Sequence, residues 1–282
     1  MRKGIISAPW CMACVLVPII LLFSQTGFTQ ETKVEFTERH YLQTGIGLSV
    51  LKAKDANLSP LTFSGSGPAL QLGFLKSNRL FEKANIYFSY TPLGHPTAVS
   101  TTVESFAFDM GYTRLYPVLI LSPGLQVKAG GRASLWGNGR LNSLYSNNLL
   151  SYELALSAEA AARLSYDLTI GDKDVQLAWD LSLPLLSYII RPAEGLPYPI
   201  EYLEDGEFNL EDDGLPGATL FSGKIGSLHN LRAISADISF TYFLQNSNAL
   251  TLGYSWNYYD ARVYNRAQVA SHTLILSLLF NL

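Results

Sequence analysis

The stretch ELALSAEAAARLSYDLTI, residues 153–170, holds a run of strong helix formers at its centre, EAAAR, inside a pattern that no helix uses. Glu159, Arg163 and Asp167 stand four apart, which stacks them on one helix face but also places them on one side of a strand. The apolar residues separate the two. Leu154, Leu156, Ala158, Ala160, Ala162, Leu164, Tyr166, Leu168 and Ile170 fill every even position, whereas a helical stripe requires spacings of three and four. A period of two over this length predicts a strand, and helix propensity is too weak a preference to overrule it. One face of that strand is apolar; the other is Ala, Ser, Glu, Arg, Asp and Thr.

The same alternation runs through the rest of the chain. Leu42, Ile46, Leu48 and Val50 lie opposite Gln43, Gly45, Gly47 and Ser49. Similar runs surround Leu70 to Phe74, Ala84 to Tyr90, Phe106 to Tyr112, Leu125 to Leu135, Val175 to Leu183, Ile234 to Leu244 and Leu250 to Tyr258. The pattern predicts about ten strands, within a range of roughly 8 to 12, each able to supply the 9 to 11 residues of a tilted transmembrane strand. Connections alternate too. Tight turns fall at KSNR (76–79), GDKD (171–174) and QNSN (245–248), with a proline-marked turn at 117–123. Long segments fall between them, at 52–67, 91–102, 137–151, 191–230 and 260–270. Short turns on one rim and long loops on the other predict an all-β, antiparallel up-and-down transmembrane barrel with short periplasmic turns and long extracellular loops.

A soluble periplasmic barrel or sandwich is the rival reading, with its apolar face inward and long charged side chains in water. Here the polar face is mostly Gly, Ala, Ser, Thr and Asn, which suits a crowded interior better than a solvated surface. The apolar face also carries Tyr90, Tyr112, Tyr166, Trp179, Tyr242, Tyr254, Trp256 and Tyr258, often near strand ends, as in the aromatic girdles of membrane barrels. At the C-terminus Leu274, Leu276, Leu278, Phe280 and Leu282 alternate to the last residue. This resembles the terminal assembly signal of bacterial outer-membrane β-barrel proteins, although the chain closes on Leu282 with the aromatic Phe280 two places earlier. The resemblance implies outer-membrane lipid as surroundings and the barrel assembly machinery as a partner of the last strand.

The N-terminus fits export. Arg2 and Lys3 precede the apolar run VLVPIILLF (15–23), too short to span a bilayer, and a small-residue exit at SQTGFTQ. The expected organisation is a signal peptide over 1–29, an N-terminal periplasmic segment over 30–39 and the barrel over 40–282. An uncleaved anchor is the competing reading of the leader. Both cysteines, Cys11 and Cys14, fall in the leader, so no disulfide is expected to staple the exported part. Without Arg2 and Lys3, 18 basic side chains face 23 acidic ones, a net charge of −5 that argues against a nucleic-acid partner.

On this facing, Asp109, Lys128, Arg132, Glu159, Arg163, Asp167, Asp180 and Asp237 point into the lumen. Crowded there, they must pair, because an isolated buried ion costs several kcal/mol. The network is then either a structural filling of the lumen or the lining of a pore. The longest loop, 191–230, carries aromatic and acidic residues, among them Tyr198, Tyr202, Asp205, Glu207, Phe208, Asp212 and Asp213, that would form a binding surface. Its acids fail the calcium-loop test: counted from Asp205, the sixth position is Leu210 and the twelfth Pro216, where glycine and glutamate are needed. No metal cluster or cofactor motif is present in the sequence, and no G-x-S-x-G marks a hydrolase. The reading is a non-enzymatic surface, structural or binding barrel with a charge-paired lumen, whose long loops meet an extracellular or envelope protein. A narrow, porin-like transport pore is the first alternative. The second is a rim hydrolase, built on His95 or His229 and a loop Ser or Asp.

Overall fold

The computed structural model describes residues 38–97, 102–122, 124–142, 150–191 and 223–282. These residues contain no helix. Strands β1 (Arg39–Asp55), β2 (Thr62–Ser77), β3 (Phe81–Leu93), β4 (Val103–Ser122), β5 (Leu125–Leu141), β6 (Leu150–Ile170) and β7 (Lys173–Ile190) follow one another as antiparallel neighbours. A three-residue strand, β8 (Lys224–Gly226), precedes β9 (Leu231–Phe243), β10 (Ala249–Ala261) and β11 (Ala267–Asn281). β11 pairs with β1 from Tyr41↔Asn281 to Asp55↔Ala267, and β7 pairs with β9, so ten strands close into a barrel while β8 adds to the end of β7. Closure gives each of the ten strands two neighbours, as a β-structure standing in hydrocarbon requires, except along one short stretch of β7.

Side-chain facing follows the alternation read from the sequence. Leu42, Ile46, Leu70, Phe88, Met110, Leu156, Leu177, Phe240, Leu252 and Leu276 are exposed on the outside, Ile46 by 68% and Leu156 by 59%. A continuous belt of large apolar side chains is far more than a water-soluble monomer exposes, and it marks the lipid-facing surface. Inside, Gln43, Ser49, Ser89, Ser134, Ser157, Ser165, Thr251 and Ser277 are buried with the lumen charges. The helix formers of residues 158–163 therefore sit in mid-strand, because their period serves two opposite environments.

The turns GDKD and QNSN are tight as expected, with Gly171 at φ 66° and Ser247 at φ 66°. Two expectations need correction. Residues 117–122 belong to β4, which continues past Pro117 through two register shifts; the turn comes later, at Gly124 with φ 87°. The long loops are also shorter than the composition implied, because the strands run on above the belt: β1 reaches Asp55, β2 starts at Thr62, and β10 and β11 end and start at Ala261 and Ala267. The polar residues there looked like loop because above the belt the outer face no longer needs to be apolar.

One stretch of wall is irregular. β7 pairs with β9 from Val175↔Tyr242 to Ser182↔Ser235, then with β8 only from Ser187↔Gly226. Among the described residues, 183–186 therefore have no strand partner on that side. On the other side, the β6 register steps from Glu159↔Pro184 to Ala158↔Leu186, a bulge at a proline that has no N–H to donate. Below the bulge the even residues of β7 face inward; above it Ser187, Ile189 and Arg191 do.

The belt yields a depth test. Arginine in place of Ala160, at the centre of the outer face of β6, should lower unfolding free energy in lipid by about 2–4 kcal/mol, and in place of Ile170 at the short-turn rim by about 0–1 kcal/mol. Denaturant titration of both variants in vesicles checks this; equal costs would mean that the facing is wrong.

Candidate functional site

The lumen holds three levels of polar side chains. Nearest the short turns, Arg163 of β6 donates to Asp180 Oδ2 at 2.6 Å and to Gln176 Oε1 at 3.1 Å, and Gln176 Nε2 donates to Asp167 Oδ1 at 2.6 Å. The Arg163 guanidinium lies over the Phe81 ring, 4.2 Å from its centroid. Lys128 donates to the Asn78 carbonyl at 2.9 Å. Apolar residues fill this end: Tyr41, Ala249 and Leu279 pack with Leu75 and Phe243, and Phe81 packs with Leu115 and Ala161. On the rim itself, hydrogen bonds from His40 and then Lys76 hold the Glu38 carboxyl below its ordinary range.

At the middle level Arg132 bridges Asp109 and Glu159, reaching the two Glu159 oxygens at 3.0 and 3.1 Å. Ser134 donates to the same glutamate, and Asn85 Nδ2 donates to Asp109 at 3.2 Å. Thus seven of the eight expected lumen charges find polar partners. The eighth, Asp237, lies opposite Asp180 on the neighbouring strand and makes no hydrogen bond or ion pair among the described residues.

The third level is one the sequence reading missed. Asp55 at the end of β1, Arg140 near the end of β5, Glu153 near the start of β6 and Arg191 just after β7 converge under the long-loop rim, and none is more than 3% exposed. Arg140 Nη2 donates to both Glu153 oxygens at 2.5 and 2.6 Å, and its Nε to Asp55 Oδ2 at 2.9 Å. Arg191 donates to Asp55 Oδ1 at 2.5 Å and to the Asn265 carbonyl at 3.1 Å, and also contacts Glu153. The Tyr259 hydroxyl donates to Glu153 at 2.8 Å, and Asn138 accepts from Arg140 at 3.0 Å. Two cations and two anions balance in a dry site, each carboxylate shared between guanidiniums, the geometry that repays desolvation best. Apolar side chains flank them: Leu51, Leu58, Phe63, Leu93, Val103 and Val269 on one side, Ile189, Leu231 and Val263 on another. Above, Asp260 takes a two-pronged bond from Arg266 at 2.7 and 2.8 Å, and this hydrogen bonding raises the Arg266 pKa.

Between the upper cluster and the apolar floor lies a cavity of about 220 Å³. Asn138, Trp136 and Tyr259 form part of its upper wall, Phe81, Leu115 and Ala161 part of its lower. A smaller space of about 90 Å³ lies nearer the short turns, sharing Lys83, Asp180 and Asp237 with the first. Residues Tyr198, Tyr202, Asp205, Glu207, Phe208, Asp212 and Asp213 lie outside the described residues. The two rim histidines hydrogen-bond only to near neighbours, His95 with Thr97 at 3.0 Å and His229 Nδ1 with Ser227 Oγ at 2.6 Å, while the His95 ring also stands edge-on to Phe63 at 5.9 Å. Neither has a carboxylate within hydrogen-bonding distance among the described residues, and the described residues hold no group of His, Cys, Asp and Glu that would bind a metal.

Closed barrel, apolar belt and paired lumen define the class: this is an outer-membrane β-barrel. No family model matches the sequence, and no curated protein matches it. Among solved structures it is similar to the outer-membrane protease OmpT of Escherichia coli, at 8% identity and a TM-score of 0.44 over 92% of this chain and all of that one. It is also similar to neisserial surface protein A, at 14% identity and a TM-score of 0.33 over 87% of this chain and 99% of that one. A third is the TodX monoaromatic hydrocarbon channel of P. putida, in a mutant form, at 11% identity and a TM-score of 0.25 over 87% and 90%. A protease, a surface protein and a channel share little beyond the barrel, so these likenesses carry nothing about activity.

Truncating one partner of the upper cluster should be costly: Arg140→Ala leaves two buried carboxylates sharing the single Arg191 guanidinium and is expected to destabilise by about 3–5 kcal/mol. The pair Arg140→Met with Glu153→Leu should recover much of that loss. Unfolding in detergent measures both; a neutral Arg140→Ala would mean that the cluster is hydrated.

Proposed function

We propose that the protein is a non-enzymatic surface or binding barrel with a closed lumen, rather than an open pore. The observation that carries this is the Asp55, Arg140, Glu153 and Arg191 cluster, which fills the long-loop end of the lumen with charges that touch protein instead of water. A transport pore needs a water-lined path past that level, and ions lining such a path would be hydrated. The arrangement instead ties β1, β5, β6 and β7 together across the lumen, with Tyr259 adding β10. The long loops above this floor, 191–230 foremost, are then the surface offered to an extracellular or envelope protein, and the terminal strand the one offered to the barrel assembly machinery.

Recording from the purified protein in a planar bilayer tests the reading. The intact barrel should give no conductance steps, and the double variant Arg140→Ala with Arg191→Ala should give irregular openings. Stable steps from the intact protein would replace this reading with transport, and would make Arg132, Glu159 and Arg163 selectivity residues.

A further inference from the structure

The 220 Å³ cavity has a third boundary, and it is the irregular one. Its wall includes Leu181, Ser182, Pro184, Ala233, Ile234 and Ser235, the residues on either side of the place where β7 and β9 part company. Above Ser182↔Ser235 β7 and β9 make no ladder, and β8 takes over only at Ser187↔Gly226, with residues 227–230 forming a turn between β8 and β9. That turn satisfies itself: Asn230 N and Leu231 N donate to the Ser227 carbonyl at 3.0 and 2.8 Å, and Ser227 N donates to Asn230 Oδ1 at 2.8 Å. Its outer rim is apolar, with Leu185, Leu186, Ile225 and Leu228 all exposed, so the break opens within the lipid-facing belt. Backbone groups without ladder partners are costly in hydrocarbon, and a wall built only for support would have continued the ladder.

We propose that this break is a lateral portal, and that the cavity behind it binds a small uncharged amphiphile that enters from the outer leaflet. The proposal rests on the sealed long-loop end, which leaves the membrane as the approach on that half of the barrel. An apolar cavity of roughly 150 Å³ accepts benzene, so this one accommodates on the order of nine non-hydrogen atoms. Its walls supply an apolar body with Trp136, Phe81, Val269 and Ile275. Two charged groups on the wall, Lys83 and Asp237, make no hydrogen bond or ion pair among the described residues; Arg132, Asp109, Glu159 and Asp180 are all engaged with one another or with Arg163. One spare donor and one spare acceptor of opposite charge suit a neutral hydroxyl head, which accepts from the ammonium and donates to the carboxylate. A charged head would leave one of the two facing its own sign.

The test uses Trp136 as reporter. The full chain carrying Trp10→Phe, Trp179→Phe and Trp256→Phe keeps Trp136 as its one tryptophan. In vesicles, 6-bromo-1-hexanol partitioned into the lipid should quench Trp136 saturably. Ala233→Phe, which narrows the portal from the lumen side, should abolish the saturable part. Asp237→Leu should raise the half-saturating concentration at least tenfold, and Asp237→Asn, the milder change, by less. Quenching that is absent in the otherwise unmodified cavity, or that rises linearly and equally in every variant, would overturn the proposal. The outcomes separate from those of the conductance experiment: a silent barrel whose Trp136 is not quenched loses the portal alone, and a conducting barrel loses the closed-lumen reading whatever the probe does.

Discussion

Two guanidiniums and two carboxylates lie buried together beneath the long-loop rim of this barrel, and the strand ends that carry them depend on their pairing. Asp55, Arg140, Glu153 and Arg191 come from four strand ends, and hydrogen bonds link them into one cluster. Each carboxylate serves both arginines. Removing any member leaves an uncompensated ion in a dry site, and the penalty for that exceeds what any single surface contact contributes. The cluster therefore adds to the backbone ladder in holding the ends of these strands in place.

Its formation requires an irregularity. If β7 kept one parity along its whole length, Arg191 would face out of the barrel. The step at Pro184 shifts the count by one, turns Ser187, Ile189 and Arg191 inward, and exposes Leu185 and Leu186 as an apolar pair outside. The same step coincides with the loss of pairing to β9. One bulge thus brings the fourth charge into the cluster and accompanies the break in the wall, so the cluster above the cavity and the gap in pairing beside it share a structural origin.

This also explains what was legible in the sequence. The period of two around residues 153–170 gave the strand, its length and its facing, because a membrane wall imposes opposite environments on successive residues. The Arg132, Glu159 and Arg163 levels followed from that parity. Asp55, Arg140 and Arg191 did not, since they lie beyond the belt, where nothing requires the outer face to be apolar and alternation fades into something that reads as loop. Glu153 was on the inward face of the opening stretch, but without partners in view it had no role. Pro184 followed by the doublet Leu185 and Leu186 was the one local signal of a parity change, and a strand count based on alternation passes over it. The loop residues from Tyr198 to Asp213 remain a sequence-based proposal for a binding surface.

The most direct test asks whether water-borne molecules pass the cluster. With Cys11→Ala and Cys14→Ala as background, a single cysteine is placed either at Pro60 on the long-loop rim or at Ser271 on the cavity wall. A charged, membrane-impermeant maleimide is then added from outside. A closed barrel predicts that Pro60→Cys is modified fully while Ser271→Cys stays unmodified, and that Arg140→Ala added to the latter makes it reactive. Modification of Ser271→Cys at the rate of the rim cysteine would contradict the closed lumen.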